Sequence, residues 1–297
     1  MIYDYQKATY ESLLRACWSH QRTLDTQLEV KTRPHRLILG STGSGKTHLA
    51  MAVCESLNWD VMLVNASAWV LTGARGTPTW DSVRDWISES SPRRPRCLIL
   101  DELDKTDGSS DWCRMLRTEL FSILDGRPVD AAEITSSIKE RLSRLMIIGC
   151  GAFQDCFDEK PAMGFCSDPI TPPKQGDLHK HMQRELVNRF HQGILTLPTL
   201  TDRDYAAMAR QVINTLPVEA QSHANKIYER ELALAIEGKI GARFPESLVS
   251  TVFDSLTKDE TPTPWKSYKL RDLDADEIPD ISDAEFDPWT QKVPITT

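Results

Sequence analysis

Gly40-Ser-Thr-Gly-Ser-Gly-Lys-Thr47 restricts this chain more than any other stretch, because it fits the pattern G-x-x-x-x-G-K-[ST]. The apolar run His35-Arg-Leu-Ile-Leu39 precedes it and reads as a buried strand, and His48-Leu-Ala-Met-Ala-Val53 follows as a helix. Strand, glycine loop and helix form the context a phosphate-binding P-loop requires. Glycine lets backbone N–H groups curl around a phosphate chain without a Cβ in the way, and the helix N-terminus adds partial positive charge. The candidate phosphate contacts are Gly40, Ser41, Thr42, Gly43, Ser44, Gly45, Lys46, Thr47 and His48. Lys46 is expected to reach the β- and γ-phosphates of ATP, and Thr47 to offer its hydroxyl to Mg2+.

A second acidic site lies downstream. Cys97-Leu-Ile-Leu-Asp-Glu-Leu-Asp-Lys105 runs four apolar residues into an acidic pair. Asp101, at the strand end, is expected to hold Mg2+, a hard cation that prefers oxygen ligands. Glu102 is the candidate general base that polarises the attacking water.

The rest of the chain supplies a scaffold for these two motifs. Helical spacing of apolar residues over 3–20 puts a helix before the first strand, with Tyr3 and Tyr5 packing in it or bordering an adenine. Further buried strands are expected at 60–64, 145–148 and 193–197, and helices near 80–90, 110–125, 131–143 and 179–190. From 201 onward the periodicity is helical, at 202–215, 218–237 and 244–256. Strands alternating with helices, then helices alone, predict an α/β fold: a P-loop NTPase with a parallel five-stranded sheet and a small C-terminal helical lid. The expected divisions are an N-terminal helix and connector (1–34), a nucleotide-binding core (35–200), the lid (201–256) and an acidic, disordered tail (257–297).

Charge and cysteine content narrow the setting. The net charge of −8 is matched by eight acids between Asp272 and Asp287, so the body is electrically balanced and gives no global signal for nucleic acid. Leu273, Ile278, Phe286 and Trp289 interleave with those acids, which suits a segment that docks on a partner as well as a solvated tail. No apolar run approaches the roughly 18 residues of a membrane helix, and the first residues lack the basic and apolar regions of a signal peptide. Seven cysteines without a disulfide framework suit a reducing cytoplasm. Cys150, Cys156, Cys166, His179 and His181 fall close together, yet they lack the spacing of a structural zinc site.

These residues, taken in order, resemble the AAA+ ATPases and, within them, the Clp-type unfoldases (ClpX and HslU). The likeness rests on Gly40–Thr47, Leu98–Lys105, Cys150-Gly-Ala-Phe-Gln154, Glu185-Leu-Val-Asn-Arg-Phe190 and Ile240-Gly-Ala-Arg243. It implies an ATPase that works as a homo-oligomeric ring, usually a hexamer, with ATP between neighbours. By the same resemblance Arg189 is the finger reaching the adjacent subunit's site. Arg243 is the lid arginine that touches the γ-phosphate, and Cys150 stands where many members carry a polar, water-aligning residue.

The chain also departs from that pattern. The unfoldases' aromatic-plus-aliphatic pore loop is replaced by Leu71-Thr-Gly-Ala-Arg-Gly-Thr-Pro-Thr-Trp80, with Arg75 in place of the aromatic pair. Met163-Gly-Phe165 sits roughly where ClpX docks a peptidase. The leading reading is a ring-forming remodeller of protein assemblies, with a protein substrate or recruiter engaged through the tail. The alternatives are a DNA-associated regulator or loader, with Arg75 and the basic turn 92–96 near nucleic acid, and a slow nucleotide-gated assembly switch.

Overall fold

The computed structural model describes residues 1–24, 26, 34–89, 94–127, 129, 135–156, 178, 183–190 and 193–257. The chain divides into two compact units, Met1–Phe253 and Asp254–Thr297. The first takes in the sheet and the helices through residue 253. Several sequence expectations lie outside the described residues: Met163-Gly-Phe165, Cys166, His179, His181, the first part of the basic turn and the tail beyond residue 257.

Five strands form one parallel sheet: β1 (Arg36–Leu39), β2 (Asp60–Asn65), β3 (Arg96–Asp101), β4 (Met146–Gly151) and β5 (Ile194–Thr196). Their order is β2-β3-β4-β1-β5. The three central strands carry apolar runs, Leu37–Leu39, Cys97–Leu100 and Met146–Ile148, because both faces are covered, as parallel sheets demand. Side chains alternate between the two faces. Leu37, Leu39, Leu98, Leu100 and Ile147 enter one core, and Ile38, Cys97, Ile99, Met146, Ile148 and Cys150 the other.

The second core is closed by α1 (Lys7–Leu24) and α2 (Lys46–Ser56), which contribute Leu13, Cys17, Leu49, Val53 and Cys54. Residues of α3 (Thr79–Glu89), α4 (Asp111–Leu124), α5 (Ser136–Ser143) and α6 (Arg184–Arg189) close the first, among them Trp80, Ile87, Leu120, Leu142 and Leu186. Three further helices follow: α7 (Asp202–Ile213), α8 (Val218–Glu237) and α9 (Phe244–Thr257). Thr201 and Asp204 start α7 with a reciprocal capping box, in which Thr201 N–H donates to Asp204 Oδ2 at 2.8 Å. Among the described residues no helix is long and apolar enough to cross a membrane.

Two sequence expectations are adjusted. The 60–64 segment is an edge strand rather than a buried one, and Leu63 is half exposed. A run of apolar residues cannot by itself tell an edge strand with one free side from a central one. β4 continues past Ile148 to Gly151 and so carries Cys150 inside the sheet, paired with Ile38 of β1.

His35 ties the start of the sheet together from inside. Its Nε2–H donates to the Leu124 carbonyl at 2.8 Å, and its Nδ1 accepts the Ile147 N–H at 3.1 Å. One donor and one acceptor define a neutral imidazole of a single tautomer. The ring thereby fixes β4 and the end of α4 against the residue that opens β1.

Candidate active site at the carboxyl ends of β1 and β3

In open parallel sheets ligands collect beyond the carboxyl ends of the strands. A cavity of about 660 Å³ opens there, within the usual size range of a small-molecule site. Its walls come from the P-loop, the residues after β3, the end of β4, the N-terminal segment and the turn before α9.

Gly43 and Gly45 hold φ of +77° and +82°, backbone that other residues adopt only under strain. A Cβ on Gly45 would lie 2.6 Å from Gln6 Nε2, so side-chain space is closed as well. The loop's carbonyls are taken by the protein itself. Lys46 Nζ donates to the Gly40 and Ser41 carbonyls at 2.9 Å each. Ala242 N–H donates to the Gly43 carbonyl at 2.7 Å, and the Tyr5 hydroxyl to the Ser44 carbonyl at 2.8 Å. With these four carbonyls engaged, the loop can present N–H groups to an anion.

The sequence candidates separate into two groups. Thr42, Gly43, Gly45, Lys46, Thr47 and His48 line the cavity. Gly40, Ser41 and Ser44 stand behind it: the first two through the carbonyls that hold Lys46, and Ser44 as a fully buried side chain. Burial pulls the Lys46 ammonium below the ordinary lysine pKa, while Asp101 and Asp104 act in the opposite direction.

Asp101 and Glu102 both line the cavity. Asp101 Oδ1 accepts the Glu102 N–H at 2.9 Å, which steadies the turn, and Glu102 itself sits at φ +54°. Glu102 Oε2 accepts from the Ser67 hydroxyl at 2.7 Å, and Ser67 N–H donates to Asn65 Oδ1 at 2.8 Å. Hydrogen bonding from the Ser67 side chain first, and from the Asn65 side chain second, holds the Glu102 carboxyl below the usual carboxylate range. Thr47 and Asp101 are the residues that would hold Mg2+. One hydroxyl and one carboxylate, completed by phosphate oxygens and water, fit that ion's donor preference.

Arg243 reaches the cavity from the turn Gly241–Arg243, together with Glu246. That turn rests directly on the P-loop. Gly241 has φ +77°, and a Cβ there would fall 2.5 Å from the Gly43 carbonyl oxygen. The Gly241 N–H donates to the Tyr205 hydroxyl of α7 at 2.9 Å. The P-loop and the turn before α9 therefore meet through backbone, Ala242 N–H on the Gly43 carbonyl.

Arg189 does not line its own chain's cavity. Its Nη2 pairs with Asp125 Oδ2 at 2.9 Å, its guanidinium stacks 4.0 Å above Phe121, and its Nη1 donates to the Glu185 carbonyl at 3.1 Å. Cys150 is fully buried, and burial drives its thiol pKa well upward against the pull of Lys46 and Thr47.

Comparison with known proteins matches part of the chain to one family. Residues 36–162 match the ATPase family associated with various cellular activities (AAA). The chain carries an AAA ATPase domain. It is similar to the sliding-clamp-loader large subunit of Escherichia phage RB69, 29% identical over 150 residues that cover 50% of this chain and 45% of that protein. It is likewise similar to the sliding-clamp-loader large subunit of Enterobacteria phage T4, 32% identical over 122 residues that cover 40% of this chain and 36% of that protein. The match thus spans less than half the length of either relative. These relatives of the AAA domain are loader subunits, so the likeness to Clp-type unfoldases narrows to a likeness within AAA proteins.

Some residues of the AAA site were not singled out by sequence reasoning. Asn65 and Ser67 act on Glu102 from the end of β2, and nothing in a turn-rich Asn-Ala-Ser marks that contact. Gln6 is fully buried, lines the cavity and donates to Ser44 O at 3.3 Å. Tyr3 also lines the cavity, and Tyr5 braces the P-loop. Both tyrosines therefore touch the site region as well as packing the N-terminal turn.

Proposed function

We propose that this chain hydrolyses ATP at the cavity between Gly43, Lys46, Asp101 and Glu102, and that it does so as a subunit of a DNA-associated loader assembly. The domain match and the site geometry support the hydrolytic half. The P-loop N–H groups and Lys46 bind and orient the triphosphate, and Arg243 meets its terminal phosphate from the lid. Thr47 and Asp101 would hold Mg2+, which would supply positive charge to offset that of the phosphates. Glu102, held ionised by Ser67 and Asn65, accepts a proton from the attacking water.

One observation turns the reading from protein threading towards DNA. The two aromatics between β2 and the first turn of α3, Trp69 and Trp80, are 3% and 1% exposed and belong to the core, while Arg75 is exposed. No aromatic of that loop is left to grip an unfolded polypeptide. The base of the loop is pinned by Glu119, whose carboxylate accepts from the Trp69 indole at 2.9 Å and from the Thr72 N–H at 2.7 Å. A fixed base presenting a guanidinium suits contact with a phosphate backbone. The similarity to two sliding-clamp-loader subunits supports the same direction. In this reading the further partners are a sliding clamp and copies of this chain or related subunits.

The test is DNA binding with ATP present, measured across salt concentrations. Binding is expected to weaken steeply with salt, and Arg75→Ala to weaken it for all sequences while reducing the salt slope by about one phosphate contact. Binding that is absent at low salt, or insensitive to Arg75, contradicts the DNA half of the reading.

A further inference from the structure

The end of β4 offers the cavity no polar side chain. Cys150 is fully buried and lies outside the lining. Gly151 lines the cavity, but a Cβ there would come within 2.4 Å of the Phe153 ring and 3.0 Å of the Asp104 backbone nitrogen, so no larger residue fits. Ala152 presents only a methyl group. Lys46 and Asp101 line the same cavity.

A carboxylate fills the gap from another element. Asp104, in the turn after β3, lines the cavity with its side chain 16% exposed. Its Oδ1 accepts the Ala152 N–H at 3.1 Å, which fastens the turn to the end of β4, and its Oδ2 lies 3.5 Å from Lys105 Nζ. Lys105 is largely solvent-exposed, and an ion pair so open to water neutralises little. Asp104 thus keeps a negative charge at the cavity wall.

We propose that Asp104 is a positioning residue for hydrolysis: its carboxylate orients the water shell around Mg2+ and the terminal phosphate, the task that β4 leaves without a polar side chain. The proposal rests on the ATP-hydrolysing reading of the same site. Ala152 N–H fixes one carboxylate oxygen, and the charge as a whole acts on the waters that Asp101 and Glu102 also address. Asp104 matters through its charge as well as through its anchor, and two substitutions separate these roles. Asp104→Asn keeps an oxygen to accept the Ala152 N–H and loses the charge, whereas Asp104→Ala loses both.

The experiment compares the wild-type chain with these two variants and with Glu102→Gln, by steady-state ATP turnover and by titration of a fluorescent ATP analogue with and without Mg2+. Asp104→Asn is expected to lower kcat about 10- to 100-fold with little change in KM, the usual cost of removing a group that orients a metal site's ligands. Its affinity for the analogue without Mg2+ should match wild type, which also reports an intact fold. The Mg2+ concentration that half-saturates the Mg2+-dependent gain in affinity should rise at least about threefold. Asp104→Ala should be equally or more impaired.

Wild-type kcat and Mg2+ midpoint in Asp104→Asn overturn the proposal, and do so even if Asp104→Ala is defective, since that pattern shows an anchor alone. A wild-type chain that fails to turn over ATP refutes the hydrolytic reading itself, and this proposal with it. Normal wild-type turnover, lost in Glu102→Gln but kept in Asp104→Asn, refutes the role of Asp104 only.

Discussion

Glu102→Gln should bind ATP as the wild-type chain does and turn it over more slowly by roughly two to four orders of magnitude. The amide keeps the size of the side chain and can still accept from the Ser67 hydroxyl, which lies 2.7 Å from Oε2. What it loses is the capacity to take a proton. Asp101, Thr47 and Lys46 are untouched, so nucleotide affinity should stay within a few-fold of wild type on the same reasoning. Single-turnover kinetics with radiolabelled ATP measure the chemical step directly. Near-normal hydrolysis in Glu102→Gln would remove this residue as the base. A large loss of affinity would place it in binding instead.

Arg189→Ala is expected to leave ATP binding intact and to depress turnover by about three to five orders of magnitude if the arginine serves as a finger between subunits. The geometry sets the terms of that test. Within its own chain Arg189 lies against Asp125 and Phe121, away from the cavity. Loss of the Asp125 pair and the Phe121 stack could by itself loosen the packing of α6 on α4, and a falling rate alone would not separate the two roles. Mixing does. A Lys46→Ala subunit cannot hold the triphosphate but still carries Arg189, whereas an Arg189→Ala subunit has an intact pocket. If the site is shared, mixed assemblies should recover turnover that neither variant shows alone. Mixtures as inactive as their components would assign Arg189 to the packing of its own chain.

These predictions rest on motifs that could be read before any coordinates, because they are contiguous and chemically extreme. Gly40–Thr47 combines three glycines, a lysine and a threonine in a spacing set by the phosphate chain itself. Strands β1, β3 and β4 were legible as apolar runs, since strands covered on both faces need no polar alternation. β2 differs from the buried strand expected because its Val-Met-Leu-Val is just as apolar, although one side of the strand has no neighbouring strand among the described residues.

The contacts that were not legible join residues far apart in sequence through backbone atoms. Tyr5 meets Ser44 through a carbonyl, Ala242 meets Gly43 likewise, and Asp104 meets Ala152 through an N–H. Backbone partners impose no residue type on one side of the contact, so no pattern announces them. Cys150 illustrates the opposite limit. The resemblance placed it at a sensing position, but strand pairing with Ile38 turns it into the core behind α2. A resemblance can locate a strand end without fixing which of its residues faces the cavity.

The loop after β2 shows how burial decides between functions that sequence leaves open. Trp80, at the start of α3, is 1% exposed and belongs to the core. Glu119 of α4 then fixes the loop base by accepting from the Trp69 indole and the Thr72 N–H, leaving Arg75 as its exposed charge.

The most direct test of the account is ATP turnover by the purified chain, or by the assembly it forms, with duplex DNA or an unfolded protein added in parallel at low and at moderate salt. A DNA-associated loader subunit should be stimulated by DNA, lose that stimulation as salt rises, and ignore the unfolded protein. Turnover that is indifferent to DNA at every salt concentration and rises with the unfolded protein would contradict the account.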